Sequence, residues 1–333
     1  MNKTEAVRSA LRFEPNGPVP YSVNLTAEAY EAYGKALIED FGTEQVKQDF
    51  GAGRLNLREA ATLAIGNYII YLDAPWWDWT NLPPEFQEED TPQGLPDTIG
   101  RGSYEAFFEK AAYLKEHYDA YLLVTIWGSH WEKAYFSRGI ENFLYDLAAD
   151  PDWCQQLLDL IIRKNLVMLE NILTCPNLDG ILLGSDWGTQ NDLIMSPQCF
   201  RSLIKGGEKR EYDLIKKYGK NVFVHSCGNI TRIMEDLAEL GVECLNPIQP
   251  ECMDIYRLKE QYGSKMAFYG GISTQRVLPF GTPAEVEAET RRVVQAMSKN
   301  GGFITAPSQE IQEDVPYENL CALIRAAQAC VQR

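Results

Sequence analysis

The sequence predicts an α/β chain folded as a single (β/α)8 TIM barrel over residues 1–333, with a short helical extension at its N-terminus. Three observations predict it. Eight short, β-rich and near-continuously apolar runs recur along the chain, as strands buried on both faces require. Longer helical stretches separate them, several opened by a capping residue before proline. No run leads into GxGxxG or GK[ST], which disfavours the competing doubly wound sheet built around a nucleotide.

The opening MNKTEAVRSALRFEPNG reads as a short polar helix, the expected extension, and lacks the apolar run of a signal peptide. Strands are expected over 19–25, 67–73, 120–128, 180–186, 221–227, 243–249, 266–271 and 302–307. The second lies in AIGNYIIYLDAP, which also fits the end of the preceding helix. Asp150-Pro151, Ser196-Pro197 and Thr282-Pro283 each place a cap before a first-turn proline, and Glu285 completes a capping box with Thr282. Gly219 and Gly241 close helices just before the next strand. Residues 75–102 read as decoration on the barrel.

Charge and cysteine content narrow the function class. The 333 residues carry 31 Lys+Arg against 47 Asp+Glu, a formal charge of −16, which repels nucleic-acid backbone and anionic membrane alike. Apolar stretches such as 121–127 are too short to span a bilayer. Eight cysteines are scattered without a CxxC pair, as expected of reduced thiols in the cytoplasm. The expectation is an acidic, soluble, cytoplasmic enzyme.

In a β/α barrel catalytic groups sit at the carboxyl ends of the strands. That position holds Asn24, Asp73, Trp127, Asp186, His225, Cys227, Gln249 and the group Ser308-Gln309-Glu310. The sharpest motif is Val224-His225-Ser226-Cys227-Gly228. Residues i and i+2 of a strand share a face, so His225 and Cys227 project together, about 7 Å apart at Cα. Imidazole nitrogen and thiolate sulfur are usual zinc ligands, and a catalytic zinc takes three protein ligands and keeps one open position. The plain alternative is a buried histidine beside a packing cysteine. Gln249, Gln309 and Glu310 compete as the third metal ligand; Cys244 and Cys252 flank Gln249 but face other directions.

Asp186, in Gly184-Ser185-Asp186-Trp187-Gly188, is the candidate general acid/base or substrate binder, unless its carboxylate only holds the turn. Asp73 has the same two readings. Trp76, Trp77 and Trp79 crowd one loop, and Trp127, Trp131 and Trp187 follow other strands. Tryptophans on one rim would make an apolar mouth for an uncharged ring substrate, so Trp127 and Trp187 join Asn24 and Gln249 as expected substrate contacts. His117 is expected to face solvent from a helix, and His130 to lie near the rim.

Seven segments carry a resemblance to the uroporphyrinogen decarboxylase superfamily: Arg8, GSDWGTQ at 184–190, SPQCF at 196–200, VHSCGNI at 224–230, LNPIQP at 245–250, FYGGISTQRVLPFGTPAEV at 268–286 and IQEDVPYENL at 311–320. The resemblance implies a (β/α)8 barrel and one of two chemistries. True uroporphyrinogen decarboxylases hold their polycarboxylate substrate with an arginine-rich segment after the first strand; here that stretch is Asn24-Leu25-Thr26-Ala27-Glu28, without arginine. Unpaired substrate carboxylates in an acidic protein argue against that reaction. The other branch resembles corrinoid-dependent methyltransferases, in which His-x-Cys and a later residue hold zinc. His225 and Cys227 match; the later residue falls at Gln309, with Glu310 or Gln249 as alternatives. The expected substrate is a small molecule, with a methoxylated compound favoured. The expected cofactors are zinc and a corrinoid supplied by a separate protein, because no DxHxxG-type segment is present. A homodimer is a further assembly the sequence permits. The rivals are a porphyrin-pathway decarboxylase and a catalytically silent ligand-binding barrel.

Overall fold

The structure is a computed structural model that describes residues 1–15, 17–77 and 102–331. Trp79 and most of the expected decoration lie outside the described residues. Seven strands occur among the described residues: β1 (Ile69–Leu72), β2 (Tyr121–Ile126), β3 (Gly180–Gly184), β4 (Asn221–His225), β5 (Cys244–Ile248), β6 (Ala267–Ile272) and β7 (Phe303–Pro307). Every strand residue except Asn221 is buried. That uniform burial is why the runs read as continuous rather than alternating, and each large aliphatic side chain so buried contributes about 1.5–3 kcal/mol. No described helix is long and apolar enough to cross a membrane.

The described chain divides into two compact units, each assembled from separated stretches. One comprises residues 1–70, 118–121 and 244–333; the other comprises 71–117 and 122–243.

In the first unit β5, β6 and β7 are parallel neighbours in chain order, with Phe268 opposite Phe303. The segment 19–25, expected as the first strand, is extended beside β7 but forms only isolated bridges, Tyr21 with Thr305 and Leu25 with Ile311. Its chemistry explains why. Pro20 has no N–H to donate. On the other side, the Asn67 side chain takes both main-chain groups of Val23, accepting from its N–H and donating to its carbonyl at 2.9 Å each. An amide side chain thus replaces a strand partner, and the expected eight strands become seven among the described residues. The AIGNYIIYLDAP stretch satisfies both of its readings: the helix Leu57–Ala64 ends inside it and β1 starts at Ile69. Thr282 and Glu285 form the expected capping box of the helix Pro283–Met297.

In the second unit β2, β3 and β4 are parallel in chain order, with β3 between the others. Asp150 caps the 23-residue helix Pro151–Leu173, accepting from the Trp153 N–H with Pro151 in the first turn. That helix packs against the helix Lys205–Lys217. Ser196 caps the short helix Pro197–Cys199, and a wide π turn, Phe200–Ile204, joins it to Lys205–Lys217; the Lys205 N–H donates to the Phe200 carbonyl five residues back. Gly219 and Gly241 adopt the left-handed conformation just before β4 and β5, as expected of residues that end helices.

Candidate functional site

β3 and β4 are in register with Gly184 opposite His225, so the loops that follow leave the sheet side by side. Ser185 N–H donates to the His225 carbonyl at 2.9 Å. One residue further, Trp187 N–H donates to the Ser226 hydroxyl at 3.1 Å, and the Asp186 carboxylate accepts the Cys227 N–H at 2.8 Å. Two glycines permit this approach. A Cβ on Gly188 would lie 2.6 Å from the Cys227 carbonyl oxygen, and Gly228, at φ +81°, would carry one 2.5 Å from the Gly188 carbonyl carbon. The recurrence of glycine in GSDWG and HSCG follows from this backbone-to-backbone contact.

The result is a cluster of three donor atoms. Cys227 Sγ lies 3.4 Å from His225 Nε2, and Asp186 Oδ1 lies 3.7 Å from the same nitrogen. All three ligand atoms fall within 4.8 Å of one another. His225 is 7% exposed at its side chain and Asp186 41%, so the cluster is walled on the histidine side and open on the aspartate side. Trp127, which follows β2 and is 45% exposed, meets the His225 ring edge-on at 4.8 Å and 89°. It sits over Gly184, where a Cβ would come within 2.9 Å of the indole.

Two further groups surround Asp186. The Trp131 indole N–H donates to its carbonyl at 3.1 Å. Glu132 accepts the Gly128 N–H at 3.1 Å, and burial, then the charge of Asp186, pushes its pKa up to about 7. Burial and then Glu132 raise the pKa of the neighbouring Tyr135 as well.

The other expected residues are distributed as follows. Trp187 is fully buried against Phe200, 5.3 Å away at 76°, and Trp77 and Trp131 are also fully buried. Among the described residues, the expected aromatic rim therefore reduces at this cluster to Trp127, and Trp77, Trp131 and Trp187 are core indoles. His117 is exposed and stacks on Tyr113, as expected of a solvent-facing helix residue. His130 is fully buried at the start of the helix His130–Arg138. Asn24, Gln249, Gln309 and Glu310 all belong to the first unit. There Asn24 is buried and donates to Ser22 at 3.2 Å and Tyr269 at 3.4 Å; Gln249 is buried, and exposed Gln309 accepts the Glu310 N–H at 2.9 Å.

Reading the sequence placed Asp186 in acid/base or substrate work and passed over its membership of the donor cluster. The signal was present: Asp186 lies two residues past Gly184, as Cys227 lies two past His225, and register makes those strand ends level. Glu132 was missed because it belongs to no motif.

The model of the uroporphyrinogen decarboxylase (URO-D) family matches residues 84–330. The chain belongs to the uroporphyrinogen decarboxylase family. The resemblance carried by residues 184–190, 224–230 and 268–286 is thereby borne out, and the similarities fall on its methyltransferase side. This URO-D-family chain is 22% identical over 214 residues to methylated-thiol–coenzyme M methyltransferase of Methanosarcina mazei, covering 64% of the chain and 55% of that protein. It is 27% identical over 192 residues to methylcobamide:CoM methyltransferase MtaA of Methanosarcina barkeri, covering 56% of the chain and 52% of that protein. The chain thus spans about half the length of the curated relatives it matches. The URO-D-family chain also shares the fold of a methyltransferase from Methanosarcina mazei, with a TM-score of 0.69 at 19% identity over 99% of both chains.

Proposed function

We propose that this chain is a zinc-dependent methyltransferase that moves a methyl group between a small molecule and a corrinoid carried by a separate protein. The observation that carries the proposal is the cluster of Asp186, His225 and Cys227 donor atoms at the ends of β3 and β4. Oxygen, nitrogen and sulfur are the donors zinc takes. With bonds of about 2.0–2.3 Å, tetrahedral ligands stand roughly 3.3–3.7 Å apart; the Cys227–His225 and His225–Asp186 separations are 3.4 and 3.7 Å. The donor set fits the ion. His225, Cys227 and Asp186 would hold it, with Asp186 supplanting Gln309 and Glu310 as the favoured third ligand.

Zinc, when bound, supplies Lewis acidity that stabilises a thiolate or polarises a methyl-ether oxygen. The protein's own groups supply the rest. Trp127 offers an exposed indole beside His225, an apolar wall for a methyl-bearing substrate. Glu132, a mostly buried carboxyl next to Asp186, is placed to exchange a proton at the edge of the cluster. Cys227 is fixed from behind, because its N–H is tied to Asp186 and its carbonyl is packed on Gly188.

The relatives' names support the corrinoid partner, since a methylcobamide:CoM methyltransferase acts between a methylated corrinoid and a thiol. The test is a methyl-transfer assay on zinc-loaded protein, followed by the corrinoid absorption spectrum. One arm offers methylcobalamin with thiol acceptors; the other offers methoxylated aromatics with cob(I)alamin. Turnover in either arm that disappears in His225→Ala and Cys227→Ala supports the reading and identifies the substrate class. Turnover of uroporphyrinogen, or inactivity in both arms with zinc bound, overturns it.

A further inference from the structure

The second unit contains another donor cluster that the proposed chemistry does not use. His130, Glu208 and Glu211 are each fully buried, at 0% exposure. Glu208 and Glu211 sit three residues apart on the helix Lys205–Lys217 and so share a face. His130 Nδ1 lies 3.4 Å from Glu208 Oε1 and 3.7 Å from Glu211 Oε2, and the three ligand atoms lie within 4.8 Å of one another. Both imidazole nitrogens, Glu208 Oε2 and Glu211 Oε2 are without a well-formed hydrogen bond. Two buried carboxylates in this state are costly: each ion loses several kcal/mol of hydration unless a cation compensates it.

The surroundings are built to aim these groups. Ser185 donates to Glu208 Oε1 at 3.3 Å, and Asn165 donates to Glu211 Oε1 at 2.8 Å while accepting the Trp77 indole N–H at 2.8 Å. Each carboxylate is thus held by a polar side chain, the arrangement that orients metal ligands. A Cβ on Gly207 would lie 2.6 Å from His130 Nε2, so a glycine in mid-helix, unfavourable by about 1 kcal/mol there, makes room for the ring. The buried ammonium of Lys133 is engaged by Trp77, donating to its carbonyl at 2.7 Å and lying 4.1 Å over its ring.

We propose that His130, Glu208 and Glu211 form a closed site for one divalent first-row transition-metal cation, separate from the centre at Asp186, His225 and Cys227. One imidazole and two carboxylates are a borderline-to-hard set, suited to Zn2+, Mn2+ or Fe2+ and poorly suited to Mg2+ or Ca2+. The cation joins the helices His130–Arg138 and Lys205–Lys217 and is structural.

The test uses the full chain with His225→Ala and Cys227→Ala, which removes two donors of the other centre. This double variant is expected to retain about one metal per chain by elemental analysis. Adding Glu208→Gln and Glu211→Gln is expected to abolish that binding. Should the quadruple variant fail to fold, Co2+ added to the metal-stripped double variant decides. Uptake with ligand-field bands, no sulfur-to-cobalt charge transfer and a raised melting temperature supports the site. No uptake of Zn2+, Mn2+ or Co2+ overturns it, as does a thiolate charge-transfer band or binding unaffected by Glu208→Gln and Glu211→Gln. Loss of all metal on His225→Ala and Cys227→Ala alone would sink this site and leave the methyltransferase reading standing. Metal lost only through Glu208 and Glu211 would do the reverse.

Discussion

The Asp186 carboxylate accepts the Cys227 main-chain N–H at 2.8 Å, binding the loop after β3 to the loop after β4. The contact is charge-assisted, and it holds a carboxylate oxygen 3.7 Å from the imidazole of His225. The hydrogen bond and the donor cluster therefore depend on the same side chain. Replacing Asp186 by Asn keeps the shape and removes the charge. Zinc affinity should fall by more than the about 10–100-fold that loss of an outer partner costs, as measured by competition with a chromogenic chelator, and the fold should persist. Unchanged affinity would return the third ligand to Gln309, Glu310 or Gln249.

Gly188→Ala tests the backbone contact beneath the cluster. The added carbon would come within 2.6–2.9 Å of Cys227 O, Gly228 C and Asn229 N, main-chain atoms that cannot rotate away. Overpacking of this kind costs about 1–3 kcal/mol. Urea unfolding should register that loss, and zinc affinity should fall with it. Gly206→Ala, where nothing lies within 4 Å, is the control and should be neutral or stabilising.

Glu132 predicts a pH dependence in protein stripped of metal. Its carboxyl, pushed from 4.5 to about 7 by burial and then by Asp186, is protonated in the folded chain over a range where the unfolded chain has already ionised. The unfolded state then binds fewer protons, so stability falls as pH rises from about 4.5 through about 7. Denaturation midpoints across that window should decline in the parent chain, and Glu132→Gln should flatten the decline. Parallel slopes in the two proteins would show that Glu132 ionises normally.

In the first unit, Asn67→Ala removes the amide that pairs with Val23 on both main-chain groups. A buried group left unpaired costs about 1–3 kcal/mol. Chemical denaturation should show a loss of that order or somewhat more, with faster hydrogen exchange at Val23.

The strands were legible because burial on both faces leaves an unbroken apolar run, as in YLLVTI of β2 and FITAP of β7. The caps were legible because Asp150, Ser196 and Thr282 act within one turn of themselves. What the reading lacked was nonlocal. Nothing in the segment 19–25 announces that Asn67, more than forty residues away, will take its hydrogen bonds. Neither does anything near His130 announce two carboxylates about eighty residues downstream. His225 and Cys227 were found because a strand's alternation is local; Asp186 needed the register between two strands, and Glu132 needed a helix to fold over a loop.

The wide turn at Phe200–Ile204 has a geometric consequence for the helix behind it. One surplus residue advances everything downstream by about 100° of rotation relative to an uninterrupted α-helix. Glu208 and Glu211 lie downstream of that turn and are buried, so the direction they face depends on its phase. Deleting a single residue from the turn would straighten the segment and swing both acids off their bearing, with no side chain of the trio altered.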